Sequence, residues 1–354
     1  MAVPFPPLGH GSGAPATRRV KVTSRRAASM GRMTATRLYR KGDVDDSGFP
    51  LKDISELIKD ESVILWADFE SPGPEDLALI EDELGLHQLA IEDALHDHQR
   101  PKLDRYDTHL FIAAYAVMLD PDTGQLTTSE VKAFVTRHAL VTVHGPEFDM
   151  GRVVRRWDDD PGLAKHGIAF LVWGLLDEIV DGHFDTVQQL DGAIEGLEDA
   201  LFDDRSRDKE VQRRSFEIRK SLVLLRRIVL PMREVVNAVL RRDLADFDPA
   251  MGPYFQDVYD HVLRVSEWTD SLRDLVSTIL ETNVSMQGNR MNLIMKKVTS
   301  WAAIIAVPTA ITGFYGQNLP YPGFAAEWGF WVSSGLILAL SGGLYLAFKR
   351  RDWL

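Results

Sequence analysis

Hydrophobic and polar positions alternate along this chain in three different rhythms. Between residues 50 and 145 the apolar residues come in short runs that end in Gly, Pro or charged turns, the pattern of a mixed α/β region. Those runs predict strands over 62–68, 108–119, 129–136 and 139–144, and helices over 74–84 and 87–95. Two longer segments, 167–204 and 205–242, read as helices and predict an antiparallel hairpin. From Tyr254 to Gly313 the helical pattern is nearly uninterrupted, and residues 249–253 (PAMGP) mark its start. Sixty residues rising 1.5 Å each would extend about 90 Å, far beyond the thickness of a bilayer.

The last rhythm is the absence of polarity. Residues 298–314 (VTSWAAIIAVPTAITGF) and 328–348 (WGFWVSSGLILALSGGLYLAF) carry no charge. A helix that crosses the hydrocarbon core needs roughly 20 apolar residues. The second run has that length, and Tyr315 and Gly316 extend the first. Lys296 and Lys297 precede the first span, Lys349, Arg350 and Arg351 follow the second, and the loop 315–327 has no Lys or Arg. Both ends of this hairpin are therefore expected in the cytoplasm. Tyr315, Tyr321, Trp328 and Trp331 stand where interfacial aromatics belong.

Charge changes this picture at the other end. Residues 1–42 hold nine Lys/Arg and no Asp/Glu, which leaves 31 basic and 52 acidic residues in the rest, a balance of −21. An acidic body argues against nucleic acid as partner and is compatible with cations. The head is expected to be a disordered tail, with contact to anionic lipid as the alternative. Residues 167–204 hold ten acids and no Lys or Arg, whereas 205–242 hold twelve Lys/Arg against four acids. Pairing of the two arms would match opposite charges, or each would be a solvated face. With no Cys there is neither disulfide nor thiolate chemistry, and no P-loop or catalytic constellation is present, so no enzyme is indicated.

Two spans cannot enclose a polar path, so a conducting protein would need several copies around one. The first span carries Thr299, Ser300, Thr309 and Thr312, residues equally common in plain helix packing. It runs into Gly313-Phe314-Tyr315-Gly316-Gln317-Asn318. Here the sequence resembles the CorA family of divalent-cation channels, whose loop begins Tyr-Gly-Met-Asn; the third position is Gln317 instead. His96-Asp97-His98-Gln99-Arg100-Pro101-Lys102 with Tyr106, Asn289-Arg290-Met291-Asn292, and the tail Lys349-Arg350-Arg351-Asp352-Trp353-Leu354 extend the likeness over roughly 50–354. The loop LPYPGFAAEW departs from the family in having Glu327 as its single acid.

The resemblance implies a CorA-like homopentameric funnel: an α/β cytosolic domain, a long helical stalk and two C-terminal transmembrane helices in the plasma (inner) membrane. It implies Mg2+ as the transported and regulatory ion, with Co2+ or Ni2+ as surrogates; branches that replace the Met are associated with Zn2+. Asn318, repeated around the oligomer, would offer a ring of amides to a hydrated ion, against an alternative role as a helix C-cap. Gly316 would let the backbone turn there, Tyr315 would orient the loop, and Gln317 would either pack like Met or add an amide. Helical spacing puts Asn292, Met295, Val298 or Thr299, Ala302, Ala306, Thr309 and Gly313 on one stripe. The family's inner-mouth asparagine falls on Asn292 and its hydrophobic constriction near Met295 and Val298, which could equally pack between helices. Glu92, Asp93 and Glu281 match acids that bind regulatory metal across subunits. Asp257 matches another, but Ile179 falls where its partner should be.

The expected divisions are a basic tail (1–42), an α/β domain (43–160), the charge-segregated hairpin (161–248), the stalk (249–297), a pore-lining span (298–316), an extracytoplasmic loop (317–327), the second span (328–348) and a basic end (349–354). The alternatives are a zinc-preferring transporter of the same family and a membrane-anchored metal sensor that conducts nothing.

Overall fold

The computed structural model describes residues 32–96, 100–121, 123–202, 208–241, 247–317, 320, 323–324 and 326–354, without the side chains of 32–34 and 208. The N-terminal domain is built on strands β1 (Arg32–Arg40), β2 (Asp43–Ser47), β3 (Val63–Glu70), β4 (Lys102–Arg105), β5 (Leu110–Leu119), β6 (Leu126–Val135) and β7 (Ala139–His144). They form one sheet in the order β2-β1-β3-β7-β6-β5-β4. β3 and β7 pair in parallel and the other neighbours are antiparallel.

Side chains alternate between the two faces, and each face has its own core. On one, Leu65, Phe69, Phe111, Phe134 and Val141 pack against Leu77 and Ile80 of α2 (Pro74–Leu84) and Ala90 and Ile91 of α3 (Gln88–Leu95), next to the short α1 (Ile54–Leu57). On the other, Trp66, Ile112, Ala133 and Leu140 meet Val153 and Trp157 of α4 (Met150–Asp159) and the buried first half of α5 (Ile168–Phe202). α2 is punctuated at both ends. Pro74 opens it, the Asp76 carboxylate accepts the Gly73 N–H at 2.8 Å, and Gly85 closes it at φ 61°, a conformation that favours glycine.

One buried polar chain crosses the sheet. Trp66 Nε1 donates to Thr142 Oγ1 (2.9 Å), which donates to Asp68 Oδ1 (2.6 Å), and His144 Nε2 lies 3.2 Å from Asp68 Oδ2. His144 Nδ1 donates to the Gly145 carbonyl. Burial opposes charge on His144, but its hydrogen bond and charge pairing with Asp68 outweigh this and raise its pKa.

α5, α6 (Asp208–Leu240) and α7 (Gly252–Tyr315) form a three-helix layer, entered through a 3-10 turn at Pro249–Met251. α5 runs alongside α7 in the same direction, with Phe184 against His261 and Trp268. α6 returns antiparallel and ties to α7 through Arg226 Nε–Asp270 Oδ1 at 2.6 Å. At 64 residues α7 is about 96 Å long. α8 (Glu327–Arg350) follows it.

Three expectations need correction. Residues 32–40, expected within a disordered tail, form β1, an internal strand; residues 1–31 lie outside the described residues. Two of its basic side chains are neutralised from elsewhere: Arg37 pairs with Asp158, and Arg40 with Asp45 and Asp60. Among the described residues, the arms of the hairpin do not neutralise one another: the acids of α5 that pair do so with Arg152 and Arg156 of α4 and His261 of α7. β2, β4, α1 and α4 answer to no predicted element.

Candidate functional site

α7 changes character along its length. Through Asn283 it buries one face, including Phe255, Val262, Leu272, Val276 and Ile279. Beyond that point the one buried residue is Ser300. The apolar windows of α7 and α8 reach mean hydropathy 1.4 and 1.6, with 6% and 0% of their residues buried. Asn292, Met295, Val298, Thr299, Ala302, Ala306, Thr309 and Gly313 are all exposed. The half-buried positions of the same stretch (Ala303, Ile304, Val307, Pro308, Ile311 and Tyr315) gather with Ser300 on a different face, about 150° around the helix. α8 packs along α7. The protomer thus leaves the expected stripe uncovered.

The hydroxyls here turn inward on their own helix. Thr309 Oγ1 donates to the Ile305 carbonyl (3.0 Å) and Thr312 Oγ1 to that of Pro308 (2.9 Å). Each oxygen then keeps only acceptor capacity, the kind that suits the outward hydrogens of a hydrated cation.

At the end of α7, Gly316 lies in a turn with φ −80°, so its part in that turn does not rest on a left-handed conformation. Its N–H donates to the Thr312 carbonyl at 2.8 Å, and a Cβ there would stand 3.0 Å from that oxygen; glycine serves close approach instead. Tyr315 sets its ring edge-on to Phe314. Gln317 is exposed and its N–H donates to the Phe314 carbonyl. Asn318 lies outside the described residues. Glu327 is exposed in the first turn of α8, where its carboxylate favours the helix dipole. At Gly329 a Cβ would come within 2.6 Å of the Gly323 carbonyl, so the loop rests directly on the start of α8.

The expected regulatory acids lie on two elements. Asp93 and Glu92 are on α3; Asp257 and Glu281 are on α7. Glu92, Asp257 and Glu281 are exposed and form no ion pair among the described residues. Asp93 Oδ2 receives Lys102 Nζ at 2.6 Å, and the same ammonium reaches Asp104 Oδ2 at 2.7 Å. Among the described residues no hydrogen bond or ion pair joins Asp93 to Glu281. His96 Nδ1 meets the Glu92 carbonyl, while Asp97 and His98 lie outside the described residues.

A further constellation escaped the sequence reading. Asp177 and Asp181 of α5 and His261 of α7 bring ligand-type atoms within 4.8 Å of one another. Arg156 donates to Asp177, to Glu178 (3.2 Å) and to Asp181 (2.6 Å). Burial, followed by repulsion from Asp181 and Asp257, pushes Asp177 up to about 6 despite Arg156. Asp177, rather than the core residue Ile179, is the acid that feels Asp257. The available signal was the four-residue spacing in both helices, Asp177 to Asp181 and Asp257 to His261.

Residues 61–350 match the model of a family described as CorA-like Mg2+ transporter protein. Bacillus subtilis YfjQ is 32% identical over 290 residues, covering 81% of this chain and 89% of that protein. The cobalt/magnesium transport protein CorA of Thermotoga maritima is 28% identical, over 86% of this chain and 88% of its own. Among solved structures, the CorA magnesium transporter from Methanocaldococcus jannaschii superposes with TM-score 0.70 at 25% identity, over 82% of this chain and 92% of that one.

Proposed function

Because this chain belongs to the CorA family and is a divalent-cation transporter, not an enzyme, we propose that it takes up Mg2+ as a homopentamer whose first spans surround the path. The observation that carries the proposal is the exposed stripe from Asn292 to Gly313, which lies away from the face half-buried beside α8 and is left for copies of the chain to cover.

In this reading the ion keeps its waters, because Mg2+ dehydrates reluctantly. Asn318 offers amides to it at the outer mouth, aided by Tyr315, Gly316, Gln317 and Glu327. Thr309 offers acceptor oxygens further in. Met295 and Val298 form a constriction that closes by dewetting, with Asn292 below it. Membrane potential drives the ion: about 2.3 kcal/mol per charge per 100 mV, and twice that for a divalent ion. The protein sits in the plasma membrane with both termini and the α/β domain in the cytoplasm. Intracellular metal at Glu92, Asp93, Asp257 and Glu281 bridges subunits and holds the path closed. Co2+ and Ni2+ follow the same route.

Asn318→Ala is expected to abolish selective Mg2+ uptake in proteoliposomes while the assembly stays intact; unchanged uptake would remove the amide ring. Gln317 in place of Met favours a second reading, a Zn2+ transporter, and Zn2+ flux without Mg2+ flux would establish it.

A further inference from the structure

The acid expected to bind regulatory metal is already occupied by a cation of the chain itself. Lys102 Nζ is shared between Asp93 Oδ2 (2.6 Å) and Asp104 Oδ2 (2.7 Å), and lies 5.6 Å from the centre of the Phe111 ring. The two elements that meet here are firmly held. β4 pairs with β5 in the register Lys102↔Ala113 and Asp104↔Phe111. The end of α3 is clamped by the buried Lys132, whose Nζ donates to the carbonyls of Ala94 (3.0 Å) and His96 (2.8 Å). Asp93 therefore has little room to move, and the flexible four-carbon stem of Lys102 is the part that yields.

We infer that Lys102 is a tethered competitor of the divalent ion at Asp93, and that its division between Asp93 and Asp104 sets the metal concentration at which the channel closes. This rests on the reading of Asp93 as a regulatory ligand. A divalent ion arriving at Asp93 displaces the ammonium, and Asp104 retains it, so the lysine charge is never left unpaired. Burial disfavours the ammonium, but hydrogen bonds to Asp104 and Asp93 raise its pKa overall, so the competitor is charged at any physiological pH. Lys102, Asp93 and Asp104 are 29%, 27% and 39% exposed, open enough for an ion to enter and for the lysine to swing.

The arrangement makes two predictions of opposite sign. Lys102→Met removes the competitor and should lower the Mg2+ midpoint for protection of the full-length protein in lipid from proteolysis, by roughly two- to fivefold, as expected for losing one partly exposed ion pair. Asp104→Asn leaves Lys102 with Asp93 alone and should raise that midpoint by a similar factor. Lys102→Arg should stay near the parent. Asp93→Asn is the control for the regulatory reading and should abolish the Mg2+-dependent protection. If Asp93→Asn abolishes protection while Lys102→Met and Asp104→Asn leave the midpoint in place, Lys102 is a structural bridge and the inference fails alone. If Asp93→Asn changes nothing, the regulatory reading fails and the inference falls with it. Should Lys102→Met not fold, the shift in Asp104→Asn decides the matter.

Discussion

The two halves of α7 are one helix with two environments. Before Asn283 it is a component of a finished core, with Val258, Val262, Val265 and Val276 wholly enclosed by α5 and α6. After it, Met295, Val298, Trp301 and Ile305 stand 51–63% exposed. A soluble surface does not carry so large an apolar area without a partner. The contrast separates the part of the protomer that has a finished core from the part that leaves its apolar side chains uncovered. It also explains a helix of 64 residues: one rigid rod joins the folded domain to the membrane segment without a hinge loop.

Substitutions that treat the halves alike should give unlike results. Leu272→Ala removes a core side chain that is 3% exposed and should cost about 3 kcal/mol in unfolding stability. Met295→Ala, at 58% exposure, should leave that stability within about 0.5 kcal/mol and instead alter ion leak through the closed state. Equal losses in a denaturation series would erase the distinction.

Acid should separate the halves next. His183 on α5 is fully buried; its Nε2 donates to the Tyr115 carbonyl, and its Nδ1 has no hydrogen-bond partner among the described residues. Burial lowers its pKa to about 4 from 6.5. With the folded value below the unfolded one, its contribution is complete above pH 6.5 and is lost as pH falls toward 4, up to about 3 kcal/mol. The extramembrane half should therefore loosen in that window while the uncharged spans remain helical. His183→Gln keeps a donor and should flatten the acid limb followed by circular dichroism.

The smallest effect belongs to the end of α8. Asp352 adopts φ 52°, Trp353 N–H returns to the Phe348 carbonyl at 3.1 Å, and their rings stack at 5.6 Å. This is a Schellman stop with a non-glycine residue in the left-handed position. Asp352→Gly should stabilise it by about 1 kcal/mol, read as slower hydrogen exchange at Trp353.

The features legible from sequence were those that one segment states by itself. Absence of charge over 298–314 and 328–348 marks the spans, and an unbroken helical period over 254–313 marks the stalk. β1 was missed because RMTATRLYR reads as part of a basic tail; the acids that pair with it, Asp158, Asp45 and Asp60, come from other segments. α4 was missed although Met150, Val153 and Trp157 repeat at helical spacing, since three arginines and two aspartates dilute the stripe. The pairings Lys102–Asp93 and Arg156–Asp177 were out of reach for a different reason. A charge in a sequence names its sign, and only the fold names its partner.

The chain contains no Cys, so a single introduced thiol reports its surroundings without interference. In proteoliposomes, Mg2+ influx through a Thr309→Cys variant should be lost on treatment with a water-soluble thiol reagent. Influx through Leu338→Cys, on α8 and 74% exposed, should persist. Influx that survives treatment at Thr309, or is blocked equally at Leu338, would contradict a path lined by the first span.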